Sequence, residues 1–259
     1  MSVIAWRGRA RVPKGPRQQL AADGTMPLVG HIRELRDRLV RSAAGVAVAT
    51  AAAFVFINQI MGVVLDLAGT HTVQALDPTE TFGTYFKVAF SVGMGLAMPV
   101  LVYQLLRFLS PGLSRGEKRA IYVSLPFVAI CFLAGALFCY FVILPSALDF
   151  LLSFGDARIE KNVSLTKFVG FVTNFMLAVG AAFETPVVIF MLVKLGVVTR
   201  QKLGKFRKYA FLLAFVVAAI ITPTPDPLNQ SLVGVPLYLL YEVGIQISRF
   251  ARKESKKKA

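Results

Sequence analysis

Six apolar runs, separated by short polar or basic segments, set the plan of this chain. The first covers 43–67, and further runs follow at about 82–106, 120–148, 164–193, 209–222 and 231–247. About 20 apolar residues of helix span the hydrocarbon core of a bilayer, so each long run predicts a membrane-crossing helix. Runs two to four reach about 25–30 residues, so their helices must tilt, bend or project, with Pro99, Pro126 and Pro186 as the predicted bend points. The fifth has only about 14 residues, some 21 Å of helix, and the sixth is barely longer and carries Pro236. A short final hairpin is predicted, with local thinning of the bilayer or water entering from one side.

The segments between the runs carry the charge. Residues 1–25 are polar and basic, and Pro13, Gly15, Pro16 and Gly24 break any helix there, which predicts a flexible cytosolic tail. Met26 is a second candidate start. The stretch His31–Arg41, HIRELRDRLVR, places Ile32, Leu35 and Leu39 at i, i+3 and i+7, which predicts an amphipathic helix at the membrane interface before span one. Run one is too long for the apolar core of a signal peptide, and no small-residue cleavage site follows it, so it is expected to be retained. A basic tail closes the chain at 253–259, leaving 26–252 as the membrane domain.

Composition agrees with this layout. Of 259 residues, 56% are hydrophobic, and the mean hydropathy is +0.63, well above the apolar share of about 45–50% in soluble domains. The net charge of +15 would suggest nucleic acid in a soluble protein, but its distribution points elsewhere. Nine bases lie up to Arg41, four between Arg107 and Arg119, six between Lys194 and Lys208 and six from Arg249 on, so 25 of the 29 share one side. By the positive-inside rule both termini are cytoplasmic. The excess charge therefore records topology, and no nucleic-acid partner is expected.

Candidate chemistry is sparse. HExxH, a Gly-rich phosphate loop and a pair of intramembrane aspartates are all missing from the sequence, which argues against an enzyme. Cys131 and Cys139 are eight residues apart on one predicted helix, about 12 Å, too far to bridge, and read as small buried side chains. His31 and His71 are the only histidines, so no metal site is implied.

Three acidic positions stand out. Glu184, in VGAAFETPVVIFML, lies ten residues from Lys194 and thus near mid-membrane, where a carboxylate costs a few kcal/mol unless it faces a polar partner, a cavity or a bundle interior. It is a docking point for another helix, a proton site, or a buried carboxyl that ties neighbouring helices near Pro186. On the basic side the acids number five: Asp23, Glu34, Asp37, Glu117 and Glu254. Glu34 and Asp37 sit among Arg33, Arg36 and Arg38, whose basic face suits anionic membrane lipid. Glu117 follows the loop FLSPGLSRGEKR, either favouring a helix N-terminus or joining Phe108 and Leu113 in an apolar and acidic patch suited to an arginine-bearing peptide.

Taken in order, HIRELRDRL, LDPTETFGTYFKVAF, PVLVYQLLRFLSPGLSRGEKR, FETPVV and ITPTPDPLNQ resemble the TatC family, the signal-peptide receptor of the twin-arginine translocase, from about Met26 to Arg252. The resemblance implies an all-α integral membrane protein with six helices in a concave, cupped bundle, the last two short. It implies recognition of twin-arginine signal peptides on folded cargo, assembly with small single-span partners of the TatA and TatB type and with further copies of itself, and transport driven by the proton motive force. No cofactor is implied. It assigns signal-peptide binding to Glu34, Phe108, Leu113 and Glu117, and partner docking to Glu184 and Gln230, with Arg36, Arg38 and Asp226 as further functional candidates. The triplet Ser114-Arg115-Gly116 departs from the bulkier or more charged residues common in the family, and Pro225 and Pro227 stiffen the loop around Asp226. The bacterial-type cytoplasmic membrane is the implied location. A proton-coupled carrier of small solutes titrating at Glu184 is the alternative, weakened by the lack of an internal repeat.

Overall fold

The computed structural model describes residues 28–69, 72–109, 115–153, 163–222 and 226–251. The tails at 1–25 and 253–259 lie outside the described residues, as does Leu113. The described chain is almost wholly helical. Among the described residues four helical stretches are long and apolar enough to cross a membrane, and five if one bent pair counts as a single crossing.

The first helix, α1 (Leu28–Val55), runs without a break through HIRELRDRLVR into the first apolar run. The separate interfacial helix predicted from the amphipathic stretch is instead the first turns of a span. Neither proline nor glycine stands between His31 and Ala44, so nothing interrupts the backbone ladder there. A break at Phe56 leads into α2 (Ile57–Asp66), and Gly69 then takes a left-handed φ of 57° that closes off the helix.

Span two is the bent pair α3 (Pro78–Leu96) and α4 (Met98–Leu109), which meet at 53°. Asp77 caps α3 by accepting from the Thr79 N–H at 2.7 Å, and Pro78 starts it where no donor is needed. The bend falls at Ala97, just ahead of Pro99, as predicted. Span three combines α5 (Arg115–Phe138), a π-helical turn at Cys139–Ile143 and α6 (Leu144–Ser153). Here the prediction needs correcting, because α5 runs straight through Pro126 and the irregularity comes at the π turn. Ser124 donates to the Ile121 carbonyl at 2.7 Å beside the carbonyl that Pro126 leaves unpaired. Cys139 is buried at the start of the π turn, whereas Cys131 is half-exposed rather than buried as expected.

Span four comprises α7 (Leu165–Ala182) and α8 (Thr185–Lys194), interrupted at Phe183 and Glu184 ahead of Pro186. A short α9 (Arg200–Lys205) precedes α10 (Arg207–Ile221), which has 15 residues and is short as predicted. The final α11 (Pro227–Ile247) has 21 residues, about 31 Å, so the expectation of a short last helix fails. Its first turn, Pro227–Gln230, ends in the polar pair Asn229 and Gln230, and an apolar count starts only after them. Asp226 supplies the cap that starts it, accepting from Asn229 N–H at 2.9 Å.

In space α1 packs on α3 and α4, α3 on α7, α5 on α4 and α7, and α8 on α11, with α10 resting on α11. Two apolar cores result: a large one around Val88, Val169, Val172 and Val233, and a smaller one around Leu106, Ile121 and Met191. Small residues permit the close approaches. A Cβ on Gly93 would come within 2.4 Å of the Thr50 hydroxyl, and one on Gly95 or Gly180 would strike the ring of Phe132, which sits between them. Outward, Val48, Phe90, Phe127, Ile130, Leu212 and Ile220 are exposed, the apolar surface of a protein solvated by lipid.

At the end away from the basic residues, two short strands, β1 (Val73–Gln74) and β2 (Val163–Ser164), pair in parallel. The Glu80 carboxylate reinforces them, accepting from Ser164 Oγ and Thr166 N–H at 2.8 Å each and from Leu76 N–H at 2.6 Å. Thr84 and Thr166 hydroxyls meet at 2.8 Å one turn deeper.

Candidate functional site

The first turns of α1 carry two kinds of ion pair. Glu34 and Arg38 are spaced i, i+4, which sets them on one face of the helix, and Arg38 donates through Nε and Nη2 to the Glu34 carboxylate. That face turns inward: the Arg38 side chain is 12% exposed, and its Nη1 reaches Gln104 Oε1 of α4 at 3.5 Å. Arg36 and Asp37 pair on the opposite, solvent face at 3.2 Å, with the Arg36 side chain 72% exposed. The second oxygen of Glu34 is buried and has no hydrogen-bond partner among the described residues. A carboxylate accepts from several donors, so this oxygen is an acceptor with unused capacity in a low-dielectric setting.

Gln104 connects this pair to the next helix. Beside it Tyr103 accepts from Arg107 Nη1 at 2.7 Å, and its hydroxyl lies 3.2 Å from that of Tyr122 on α5. Glu117 is in the first turn of α5, five residues before Tyr122, and is half-buried. Phe108 occupies the last turn of α4, also half-buried. Thus Glu34, Arg38, Phe108 and Glu117 all belong to the basic end, on three helices that pack in series.

Glu184 lies elsewhere. It is 4% exposed at the α7–α8 break, against the Cys131–Phe132 stretch of α5, and neither carboxylate oxygen has a partner among the described residues. The break follows from Pro186, which cannot donate to the carbonyl of Ala182; Thr185 Oγ1 takes that carbonyl at 2.6 Å instead. Gly135 admits the Phe183 side chain, so the interruption is packed rather than loose.

Gln230 is not beside Glu184. On α11 it is Gly244 that rests against Pro186 and Ile189, and Gln230 is 14 residues back, about 21 Å along the helix. Its amide donates to the Phe215 carbonyl of α10 at 3.2 Å, which binds the last two helices together. Asp226 is engaged as the α11 cap. The candidates therefore fall at three depths: the basic end, the middle and the far end.

Sequence inspection passed over several residues. Gln104 sits in an apolar run, where a lone amide is the available hint that it has a partner, and it is indeed buried. Glu80 stands in the polar lead-in to the second apolar run, where nothing in the sequence marks its contacts with Ser164 and Thr166. Glu242 is a sixth acid towards the basic end, correcting the count of five. It pairs with Arg207 at 2.8 Å and accepts from Tyr238 at 3.2 Å. The i, i+4 spacing of Tyr238 and Glu242 was the available signal. Among the described residues no cluster of three or more His, Cys, Asp or Glu is arranged to hold a metal ion.

Comparison with known proteins gives one answer. Residues 30–236 match the family model described as Sec-independent protein translocase protein (TatC). The Sec-independent protein translocase protein TatC of Aquifex aeolicus is 38% identical over 237 residues, covering 89% of this chain and 98% of that protein. The TatCy protein of Bacillus subtilis is 34% identical over 235 residues, with 90% and 92% covered. A crystal structure of the twin-arginine translocase receptor TatC superposes with a TM-score of 0.72 at 38% identity, covering 84% of this chain and 99% of that one. Match, identity and fold agree over most of the length: the chain belongs to the TatC family and is a membrane component of a Sec-independent protein translocase.

Proposed function

We propose that this chain is the receptor and core subunit of a twin-arginine translocase. It binds the twin-arginine signal peptides of folded cargo at its basic, cytoplasmic face and docks single-span partners of the TatA and TatB type for export driven by the proton motive force. The chain crosses the bacterial-type cytoplasmic membrane six times, with α10 as the short fifth crossing. Both termini are cytoplasmic, and the 26–252 domain lies between cytosolic tails at 1–25 and 253–259. The 25 basic residues on one side support that orientation. The structural relative described as a receptor supports the role.

The observation that carries the proposal is the half-used carboxylate of Glu34, held on one side by Arg38 and buried without a partner on the other. An incoming guanidinium supplies paired N–H donors in a planar fork, which suits a carboxylate better than the point charge of lysine. Glu34 and Glu117 take the two arginines. Phe108 and Leu113 provide apolar contact to the residues beside them, and Arg36 and Arg38 set the positions of Asp37 and Glu34. Deeper in the bundle, Glu184 offers its unpartnered oxygens to a polar group on a partner helix, and Gln230 and Asp226 form a separate contact region at the far end. The receptor works as a homo-oligomer within its complex.

Site-specific cross-linking of a twin-arginine signal peptide tests this. Glu117→Gln removes the charge but keeps the shape, and about a tenfold loss of cross-linking is expected, the scale of one charge-assisted contact. Cross-linking equal to wild type would overturn the assignment.

A further inference from the structure

At the basic end of the bundle, an open cavity of about 660 Å³ lies between the Gly196–Thr199 turn, α9, the start of α10 and the end of α11. Three guanidinium groups line it, from Arg200, Arg207 and Arg249, with the polar side chains of Thr199 and Gln201. No carboxylate belongs to the lining among the described residues. Glu242 answers Arg207 through their 2.8 Å ion pair, so its charge offsets one of the three arginines. Arg200 and Arg249 are exposed and leave the cavity cationic.

The position of the cavity narrows its ligand. Val193 and Ile245 form an apolar part of the wall. Around the same end, Phe206, Tyr209 and Phe250 point outward, with the Phe206 and Tyr209 rings 5.5 Å apart. Aromatic side chains turned out at the ends of apolar helices mark the headgroup layer. Directly beyond them along α10, Leu212, Leu213 and Val216 are exposed and apolar, a surface for acyl chains. The cavity thus opens at phosphate depth, is far larger than a phosphate group, and adjoins a lipid-facing helix. Arginine forks bind phosphate oxygens in pairs, and basic pockets between helices at this level suit anionic headgroups.

We infer that this cavity is a specific site for the phosphate-bearing headgroup of an anionic membrane phospholipid, clasped by Arg200 and Arg249, with its acyl chains along α10. This site is distinct from the lipid-facing basic surface of α1, on a different part of the chain. It places a lipid where α8, α9, α10 and α11 converge, so the lipid fastens the short α10 to its neighbours.

The test uses the full-length protein in nanodiscs of phosphatidylcholine doped with phosphatidylglycerol, with retained lipid counted by native mass spectrometry. Wild type should retain phosphatidylglycerol over phosphatidylcholine, and the Arg200→Gln/Arg249→Gln variant should lose about tenfold of that retention. Lys205→Gln/Lys208→Gln, which removes equal charge from the same end outside the lining, should change it by less than about twofold. Equal loss in both variants means general surface charge and overturns the proposal. In a second arm, phenylglyoxal labelling of Arg200 and Arg249 is read on wild type, so folding of the variant does not matter. Protection by phosphatidylglycerol but not by inorganic phosphate is expected; equal protection by inorganic phosphate, or none by the lipid, overturns the lipid assignment.

Discussion

Arg38 holds Glu34 from one side and reaches Gln104 of the neighbouring span from the other. One carboxylate oxygen is thereby fixed, while the second stays buried without a donor among the described residues. Holding the acid in place in this way is a positioning role. Arg38→Gln should therefore lower signal-peptide cross-linking about tenfold, whereas Arg36→Gln, whose partner Asp37 faces solvent, should change it by less than about twofold. Equal effects from both would mean that only the total charge of the segment matters.

The same carboxylate should discriminate arginine from lysine. With wild type, a twin-lysine peptide is expected to bind about tenfold more weakly than twin-arginine, and the gap should shrink in Glu34→Gln. A double-mutant cycle on peptide affinity measures the coupling. A gap of the same size in both proteins would place the discrimination elsewhere.

On the proposed reading, Glu184 serves docking and the basic end serves recognition. Replacing it with alanine leaves the basic end untouched, so peptide cross-linking should stay within about twofold, while co-purification of single-span partners falls several-fold. Parallel loss of both readouts would identify a carboxyl needed only for packing, and Glu184→Gln, which keeps the volume, would then restore both.

Gly93 is where α1 and α3 come closest. A methyl group there would meet the hydroxyl, the Cα and the amide nitrogen of Thr50 at 2.4–2.6 Å, and the backbone cannot yield as a side-chain tip does. Gly93→Ala should destabilise the protein by about 1–3 kcal/mol, the usual cost of overpacking. Thermal unfolding in detergent checks this, with Gly83→Ala as a control at a position with open space.

Glu80 ties β2 and α7 to the start of α3 by accepting three hydrogen bonds on a single carboxylate, from Leu76 N–H, Ser164 Oγ and Thr166 N–H. Glu80→Ala should lower the melting midpoint and expose 72–80 to limited proteolysis, with signal-peptide binding retained in the folded fraction. Unaltered cleavage would show that the two-residue ladder suffices alone.

Much of this fold was written in the apolar runs. The apolar runs became helical stretches, several of them interrupted, at Phe56, at Ala97 and at Phe183–Glu184, because hydrophobic length is a local property of sequence whereas the breaks depend on packing. The lapses share one cause. Pro126 left α5 intact and the irregularity came at Cys139–Ile143, since a π turn answers to packing and has no strong residue signature. The last helix outgrew its apolar run because Asp226 and Pro227 start it in polar sequence. Among the site residues, the i, i+4 spacing of Glu34 and Arg38 was legible. Their link to Gln104 was not, because partners 66 residues apart meet only after α1 has packed on α4.

The pairing of Val73 with Val163 turns everything between them into a closed ring of polypeptide. Spans two and three lie wholly inside that ring, with its knot tightened by Glu80. With the outer ends drawn together, widening between α3 and α7 must pivot about the knot. Displacement therefore grows with distance from it, towards Leu96 and Ala182, where α3 and α7 end.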